Sequence, residues 1–327
     1  MVMSQSLYIF LQRARPGVSI DVLAPAWSEP ILERMPQVRR TISLPVQHGE
    51  LALGRRLRLA YELRAEAYEQ AILLPNSLKS ALVPFLARIP CRTGWRGEMR
   101  LGLLNDLRIL DEAAYPLMVQ RFVALGLEAD APPPEQIAPP RLVVDASLAE
   151  ACRDRFKLVR DRPILALCPG AEFGGAKRWP QQYYAELARH YLGQGWQVAL
   201  YGSAKDRGVT AAVRNQAGAH PLCFDLAGRT ELAEAVDLLS LSAAVVSNDS
   251  GLMHIAAALG LPMVVVYGAT SPDFTPPLDA RADVLVSDLE CAPCFARECP
   301  LGHHRCMREI RVTQVTAKLG ALLSGNQ

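Results

Sequence analysis

Short apolar runs alternate with amphipathic stretches along the chain, and this pattern predicts strands and helices in turn. In the second half, apolar runs predict strands at residues 164–168, 197–201, 244–247 and 263–267. In the first half, the pattern predicts strands at 19–23 and 70–74, with helices near 50–63 and 115–125. Strands separated by helices are typical of a parallel sheet, so each half is predicted to have an α/β fold.

A proline-rich segment at residues 128–141 separates the two halves. Its five prolines remove backbone donors and cannot continue a helix, so we interpret it as a linker: Pro132, Pro133, Pro134, Pro139 and Pro140. The predicted domains are therefore residues 1–140 and 141–327.

The first domain opens in an unusual way. Residues 2–13 predict a helix, Pro16 and Gly17 end it, and only then does a strand follow. Because a doubly wound domain ordinarily opens with its central strand, we expect a strand and a tight loop before Met1. The alternative is that this domain simply starts differently.

Composition narrows the class of protein. The chain has 35 basic and 33 acidic side chains, which is too even a balance for a nucleic-acid-binding protein. We find neither an apolar run of membrane-spanning length nor a signal-peptide pattern, so we expect a cytoplasmic protein, at most peripheral to a membrane. Four cysteines are predicted to be buried as small apolar residues: Cys91, Cys152, Cys168 and Cys223.

A glycine-rich segment, residues 169–180, follows the predicted strand at 164–168. Gly170 and two later glycines let a ligand approach the backbone, and Lys177 and Arg178 add positive charge at a helix start, which indicates a diphosphate site. The segment is not a Walker motif, because Ala176 precedes the lysine and an arginine follows it. The alternative is an ordinary glycine-rich connection with solvated cations.

A second polar segment follows the predicted strand at 244–247. Asp249 or Ser250 can cap the next helix, Gly251 admits a phosphate to its first amides, and His254 lies about one turn further on. Asp249 could equally be only a cap, and His254 only a satisfied core histidine.

Two further loops follow predicted strands. Residues 268–277 carry hydroxyls that could contact a sugar or a phosphate, although a rigid proline loop is the alternative. Asp206 lies just after the strand at 197–201, where it could accept hydrogen bonds from ribose hydroxyls.

Six potential metal ligands crowd into residues 291–306: Cys291, Cys294, Cys299, His303, His304 and Cys306. A C-x2-C pair with further thiols is typical of zinc, but the later spacing is irregular for a standard finger. A structural metal and a reduced, thiol-rich cap both remain open, and neither makes the cluster catalytic.

Four blocks together carry a resemblance to glycosyltransferase family 9, at residues 75–107, 168–180, 247–259 and 271–278. The resemblance covers nearly the whole chain. It implies the GT-B fold: two Rossmann-like, doubly wound α/β domains around a cleft, the first one here missing its opening strand. The donor site is then in the second domain and the acceptor surface in the first.

The resemblance also implies a reaction. The family members that match most specifically move L-glycero-D-manno-heptose, with inversion, from ADP-heptose to the first heptose of the lipopolysaccharide inner core on Kdo-lipid A. No cofactor or catalytic metal is implied. The implied catalytic residues are Lys177, Asp249 and His254, and the implied donor contacts are Gly170, Lys177, Asp206, Thr230, Asp249, Ser250, Gly251 and His254.

On the acceptor side, the resemblance implies Asn76, Lys79, Arg92 and Arg96, with Arg100 a weaker match. Cations there suit an acceptor that carries carboxylates and phosphates at the cytoplasmic face of the inner membrane. The alternative for these arginines is a solvated helix face.

The general base is the open point of this interpretation. In the family it is an aspartate in the first strand-to-helix loop, which corresponds to the position just before Met1. We therefore expect weak or absent transfer from the 327-residue chain, and a nucleotide-sugar-binding protein without transfer activity is the alternative. Another family 9 heptosyltransferase and a GT-B epimerase are further candidates.

Overall fold

The structure is a computed structural model that describes residues 1–46, 49–129 and 131–325. The chain divides into two compact units, which extend over Met3–Pro139 and from Pro140 onward. The division falls within the proline-rich segment. In the described parts of the chain, no helix is both long and apolar enough to cross a membrane.

The first unit contains five helices and five strands among its described residues. Its helices are α1 (Gln5–Ala14), α2 (Glu29–Leu32), α3 (Leu53–Arg64), α4 (Leu78–Leu86) and α5 (Met118–Ala124). Its strands are β1 (Ile20–Ala24), β2 (Val38–Ser43), β3 (Gln70–Leu73), β4 (Cys91–Trp95) and β5 (Asp106–Arg108).

These five strands form two separate parallel sheets, one of β1 and β2 and one of β3, β4 and β5. Helix α1 precedes every strand, as the pattern at residues 2–13 predicts. The loops after β3 and β4 carry Asn76 and Arg96, while Lys79 lies at the start of α4 and Arg92 lies within β4.

The second unit has six strands and seven helices in the part that the structure describes. Its strands are β6 (Ile164–Cys168), β7 (Gln197–Leu200), β8 (Cys223–Asp225), β9 (Ala244–Asn248), β10 (Met263–Val266) and β11 (Ala282–Leu285). Its helices are α6 (Ala146–Phe156), α7 (Gln181–Gly193), α8 (Arg207–Gln216), α9 (Leu232–Leu239), α10 (Gly251–Ala258), α11 (Arg305–Arg308) and α12 (Val312–Ser324).

These strands form one parallel sheet in the order β11-β10-β9-β6-β7-β8. The first strand of the unit thus lies in the middle, which is the Rossmann arrangement. Every residue of β6, β9 and β10 is buried, and this explains why β6 and β10 are continuous apolar runs and why β9 is apolar as far as Val246. The direction of winding reverses between β6 and β9, where open α/β sheets bind ligands.

A buried tryptophan anchors the glycine-rich segment to this core. Trp179 is 1% exposed, and its indole donates a hydrogen bond to the Ile310 carbonyl at 2.9 Å. Tyr184 on α7 packs edge-on against its ring. The loop after β6 is therefore fixed at its far end by core packing.

The cysteine predictions are mostly confirmed. Cys152, Cys168 and Cys223 are buried free thiols, while Cys91 is only half-buried. Burial raises the pKa of Cys223 to about 11, which keeps this thiol protonated and unreactive.

Candidate functional site at the carboxyl edge of the second sheet

The glycine loop, residues 169–178, is held at both ends by one buried amide. Asn248 is the last residue of β9, and its Nδ2 donates to the carbonyls of Pro169 at 2.9 Å and Gly170 at 3.3 Å. Its Oδ1 accepts from the Trp179 backbone N–H at 3.1 Å and the Tyr184 hydroxyl at 3.0 Å. Sequence reasoning missed this role, although an asparagine ending an otherwise apolar strand was a usable signal.

Three loops meet at a buried lysine and carboxylate. Lys177 Nζ lies 2.6 Å from Asp249 Oδ2, and the two side chains are only 14% and 6% exposed. The Thr270 hydroxyl donates to the same Asp249 oxygen at 2.7 Å. The loops after β6, β9 and β10 thus place one cation, one anion and one hydroxyl together.

Helix α10 begins at this cluster with open amides. Ser250 is its N-cap residue in an extended conformation, but within the described structure its hydroxyl makes no capping bond. A Cβ built on Gly251 would meet no described atom within 4 Å. Because the first helical amides need partners, this end of α10 is suited to a phosphate.

His254 lies one turn into α10 and is half-buried. Burial lowers its pKa to about 4; the Asp249 carboxylate opposes this shift, and Lys177 adds to it. His254 is therefore neutral near pH 7, where one ring nitrogen donates a hydrogen bond and the other accepts one.

Asp206 packs directly against the glycine loop. Its carboxylate accepts from the Ser203 N–H at 2.9 Å and the Ser203 hydroxyl at 2.8 Å. A Cβ at Gly170 would come within 2.6 Å of this carboxylate, so any larger residue there would displace it.

Thr230 lies further along the same edge of the sheet, in the loop after β8. This loop is tied to the one after β7, because the Gly228 N–H donates to the Gly202 carbonyl at 2.9 Å. Asp206 and Thr230 thus occupy neighbouring loops on the β7 and β8 side of the site.

The cysteine-rich segment, residues 286–304, braces two of the site loops. The Ala176 N–H donates to the Arg297 carbonyl at 3.0 Å, and the Phe295 N–H donates to the Ala269 carbonyl at 2.7 Å. The Gly175 N–H also donates to a Glu298 carboxylate oxygen at 3.2 Å. These contacts join residues far apart in sequence, which explains why sequence reasoning did not anticipate them.

An aromatic ring links the same two segments. Phe173, in the glycine loop, lies 5.0 Å from Lys177 Nζ and 5.5 Å from the Arg297 guanidinium carbon, measured to the ring centroid. Both contacts fall within the range of cation–π attraction. The ring therefore helps to hold Lys177 at the site.

Four cysteines converge at the base of this segment. With His303, Ala176, Ala269 and two further residues they line a cavity of about 20 Å³: Cys291, Cys294, Cys299 and Cys306. Backbone N–H groups of residues 301–304 lower the pKa of the Cys299 thiol, while burial and then the nearby thiols raise that of Cys306. In their present positions, no three His, Cys, Asp or Glu side chains within the described residues form a ready metal site.

In the first unit, three of the residues implied for the acceptor lie on loops or helix starts. Asn76 and Arg96 are exposed, and Lys79 donates to the Gly49 carbonyl at 2.9 Å. The Glu98 N–H donates to the Asn76 carbonyl at 3.1 Å, which joins the loops after β3 and β4.

The two other arginines are occupied within the first unit. Arg92 Nε donates to the Leu103 carbonyl at 2.7 Å. Arg100 is 1% exposed and donates to the Pro75 and Trp95 carbonyls and to Asn76 Oδ1. The alternative of a solvated helix face is therefore wrong for Arg100, because its guanidinium is buried and donates to backbone carbonyls.

Known proteins match this chain over most of its length. The family model described as glycosyltransferase family 9 (heptosyltransferase) matches residues 56–305. Lipopolysaccharide heptosyltransferase 2 of Escherichia coli K12 is 47% identical, over 99% of this chain and 95% of that protein. Lipooligosaccharide heptosyltransferase 2 of Haemophilus influenzae is also 47% identical, over 99% and 96% of the two chains.

Solved structures agree. The E. coli ADP-heptose lipopolysaccharide heptosyltransferase II superposes with a TM-score of 0.89 at 44% identity, covering 100% of this chain and 96% of that one. A family 9 glycosyltransferase from Veillonella parvula has a TM-score of 0.87 at 18% identity, over 99% and 94% of the chains, which shows the shared fold. The chain belongs to glycosyltransferase family 9, the heptosyltransferases, and has the GT-B fold of that family.

Proposed function

We propose that the protein moves L-glycero-D-manno-heptose from ADP-heptose to the first heptose of the lipopolysaccharide inner core, with inversion. The relatives named as heptosyltransferase 2, at 47% identity over 99% of the chain, support this reaction over a binding protein or an epimerase. The observation that carries it is the Lys177–Asp249 pair beside the open start of α10, where β6 and β9 part.

The second unit supplies the leaving-group side of this reaction. When the diphosphate binds, Lys177 exchanges Asp249 for a phosphate oxygen, and the first amides of α10 donate to the same group. Charge grows on the diphosphate as the bond to the heptose breaks, and preorganised donors stabilise that charge most effectively in a site that excludes water. Gly251 leaves room for the phosphate, because its missing Cβ keeps the approach open.

The sugar and the nucleoside lie to either side of the diphosphate in this proposal. Asp249 accepts a hydrogen bond from a hydroxyl of the heptose. Neutral His254 donates a second hydrogen bond to the sugar or accepts one from it. Asp206 accepts hydrogen bonds from the ribose hydroxyls, and Gly170 lets the ligand approach the backbone closely. Thr230 lies near the adenine.

The first unit binds the lipid acceptor in this account. Asn76, Lys79 and Arg96 face the carboxylates and phosphates of Kdo-lipid A, for which charge-assisted hydrogen bonds are suited. Arg92 and Arg100 act indirectly by holding the loops on which these residues lie. Because the acceptor is a membrane lipid, the protein works in the cytoplasm in peripheral contact with the inner membrane.

The direct test is a transfer assay with ADP-heptose and two acceptors, heptosyl-Kdo2-lipid A and Kdo2-lipid A. Mass spectrometry of the lipid and release of ADP are measured together. We expect one added heptose on the first acceptor only. Equal transfer to both acceptors would contradict the assigned acceptor, and ADP-heptose binding without any lipid product would contradict transferase activity.

A further inference from the structure

The cysteine-rich segment, residues 286–304, is held in place without regular structure. It connects β11 to α11 and has no helix or strand among these described residues. Long connections of this kind are uncommon in a compact domain unless something ties them down. The segment nevertheless makes specific backbone bonds to the glycine loop and to Ala269.

The three thiols of this segment and the thiol of Cys306 on α11 line one cavity. All four are free, and they follow a C-x2-C-x4-C-x6-C spacing that ends at the second residue of α11. The cavity they line has a volume of about 20 Å³, which is roughly the space of one water-sized sphere. The cavity therefore has room for one small ion, provided that the thiols turn towards it.

The chain turns directly after Cys299, where the Gly302 N–H donates to the Cys299 carbonyl at 3.0 Å. Cys299 lines the same cavity as the three other thiols.

We propose that Cys291, Cys294, Cys299 and Cys306 bind one thiophilic metal ion, zinc in the first place, in a four-sulfur site. Four thiolates in a tetrahedral arrangement are typical of structural zinc and also suit iron. Because the sulfurs are not yet spaced for an ion, binding requires them to rotate into the cavity. Four metal–sulfur bonds then form, the thiol protons pass to solvent, and no electron is transferred.

The ion would act on the donor site through the bonds of this segment. Arg297 and Phe295 lie between the thiols along the chain, and their backbones bond Ala176 and Ala269 in the site loops. Fixing the thiols therefore fixes the position of the loop that carries Lys177. This consequence rests on the proposed function, whereas metal binding itself does not.

The test starts with the metal content of the full chain. The protein is purified without chelators, incubated with buffered zinc and analysed by elemental mass spectrometry. We expect one zinc per chain, lost in Cys294→Ser and Cys299→Ser and retained in the control Cys91→Ser. Metal-free protein after this incubation, or unchanged zinc in both variants, would overturn the site. One equivalent of iron, lost in the same variants, would support the four-sulfur site and overturn zinc as its ion.

A second measurement uses the unaltered protein, so it does not depend on whether the cysteine variants fold. In the unaltered protein, a mercurial reagent is titrated while a colorimetric chelator reports released zinc. We expect release to be complete only after four thiols have reacted, and zinc release without thiol reaction would overturn sulfur ligation. ADP affinity of the metal-free protein should be several-fold weaker than that of the loaded protein. Equal ADP affinities of the metal-free and loaded proteins would overturn the effect of the metal on the Lys177 loop, while leaving the proposed function intact.

Discussion

Lys177 and Asp249 form a buried ion pair 2.6 Å long at the point where the central strands of the second sheet part. The two residues lie in different loops, so the pair ties the loop after β6 to the loop after β9. Before the donor binds, the negative charge of Asp249 balances the positive charge of Lys177. The diphosphate must therefore compete with Asp249 for Lys177.

Asp249→Asn tests this competition. The substitution removes the competing charge but keeps the shape, so ADP should bind as tightly as before or more tightly. Turnover should nevertheless fall roughly tenfold to a hundredfold, because a charged hydrogen bond to the heptose is worth about 1.5–3 kcal/mol. Calorimetry with ADP and steady-state kinetics separate the two effects. A large loss of ADP affinity in this variant would contradict the competition.

The amide of Asn248 should be essential for the shape of the glycine loop. Asn248→Ala removes a hydrogen bond from each of four groups, most of them buried, and should lower the free energy of unfolding by roughly 1–3 kcal/mol or more. Asn248→Asp should cost more, because a carboxylate would then face the Pro169 and Gly170 carbonyls. Denaturant unfolding measures both, with exposed Asn215→Ala on α8 as the control. Asn248→Asp as stable as the unaltered protein would be inconsistent with this role.

Substitutions of Arg100 and Arg96 should have different effects in the first unit, the first on stability and the second on acceptor binding. Arg100→Ala removes a buried donor from two carbonyls and Asn76, and we expect a loss of about 3 kcal/mol in unfolding free energy. Exposed Arg96→Ala should leave stability unchanged and raise the KM for the lipid acceptor several-fold. Thermal unfolding and acceptor titrations distinguish them. The opposite assignment of effects would show that the acceptor side has been placed wrongly.

His254 should make the second unit sensitive to acid. Its folded pKa of about 4 lies below that of an unfolded histidine, so the unfolded state takes up a proton first as the pH falls. The contribution of neutral His254 to the free energy of unfolding is fully present above about pH 6.5 and declines towards pH 4. The decline between pH 7 and pH 5 is about 2 kcal/mol. His254→Asn should remove this part of the decline, whereas the control His190→Asn on the exposed face of α7 should not. Parallel pH profiles for the two variants would disprove the assignment.

How well the sequence predicts the fold depends on how each strand is buried. β6, β9 and β10 are covered on both faces, so their apolar runs mark them clearly. Five strands of the described structure have no counterpart among the predicted ones: β2, β4, β5, β8 and β11. Arg39 and Arg40 break the apolar pattern in β2, and Asp106 and Arg108 break it in β5.

The site shows a similar division. Lys177 lies in the loop after β6, and Asp249 and Ser250 follow β9 directly, so the order of elements along the chain is enough to predict that they share one edge of the sheet. Asn248 and the brace from the cysteine-rich segment act through contacts between distant residues. Such contacts are set by packing and are invisible in local spacing.

The central claim is that Lys177 holds the donor diphosphate, and calorimetry with ADP tests it most directly. The matched control is Lys205→Ala, because Lys205 is a nearby exposed lysine that pairs with Glu172. We expect Lys177→Ala to bind ADP roughly tenfold to a hundredfold more weakly while the second unit stays folded, and Lys205→Ala to bind normally. Unchanged ADP affinity in a folded Lys177→Ala protein would contradict the account.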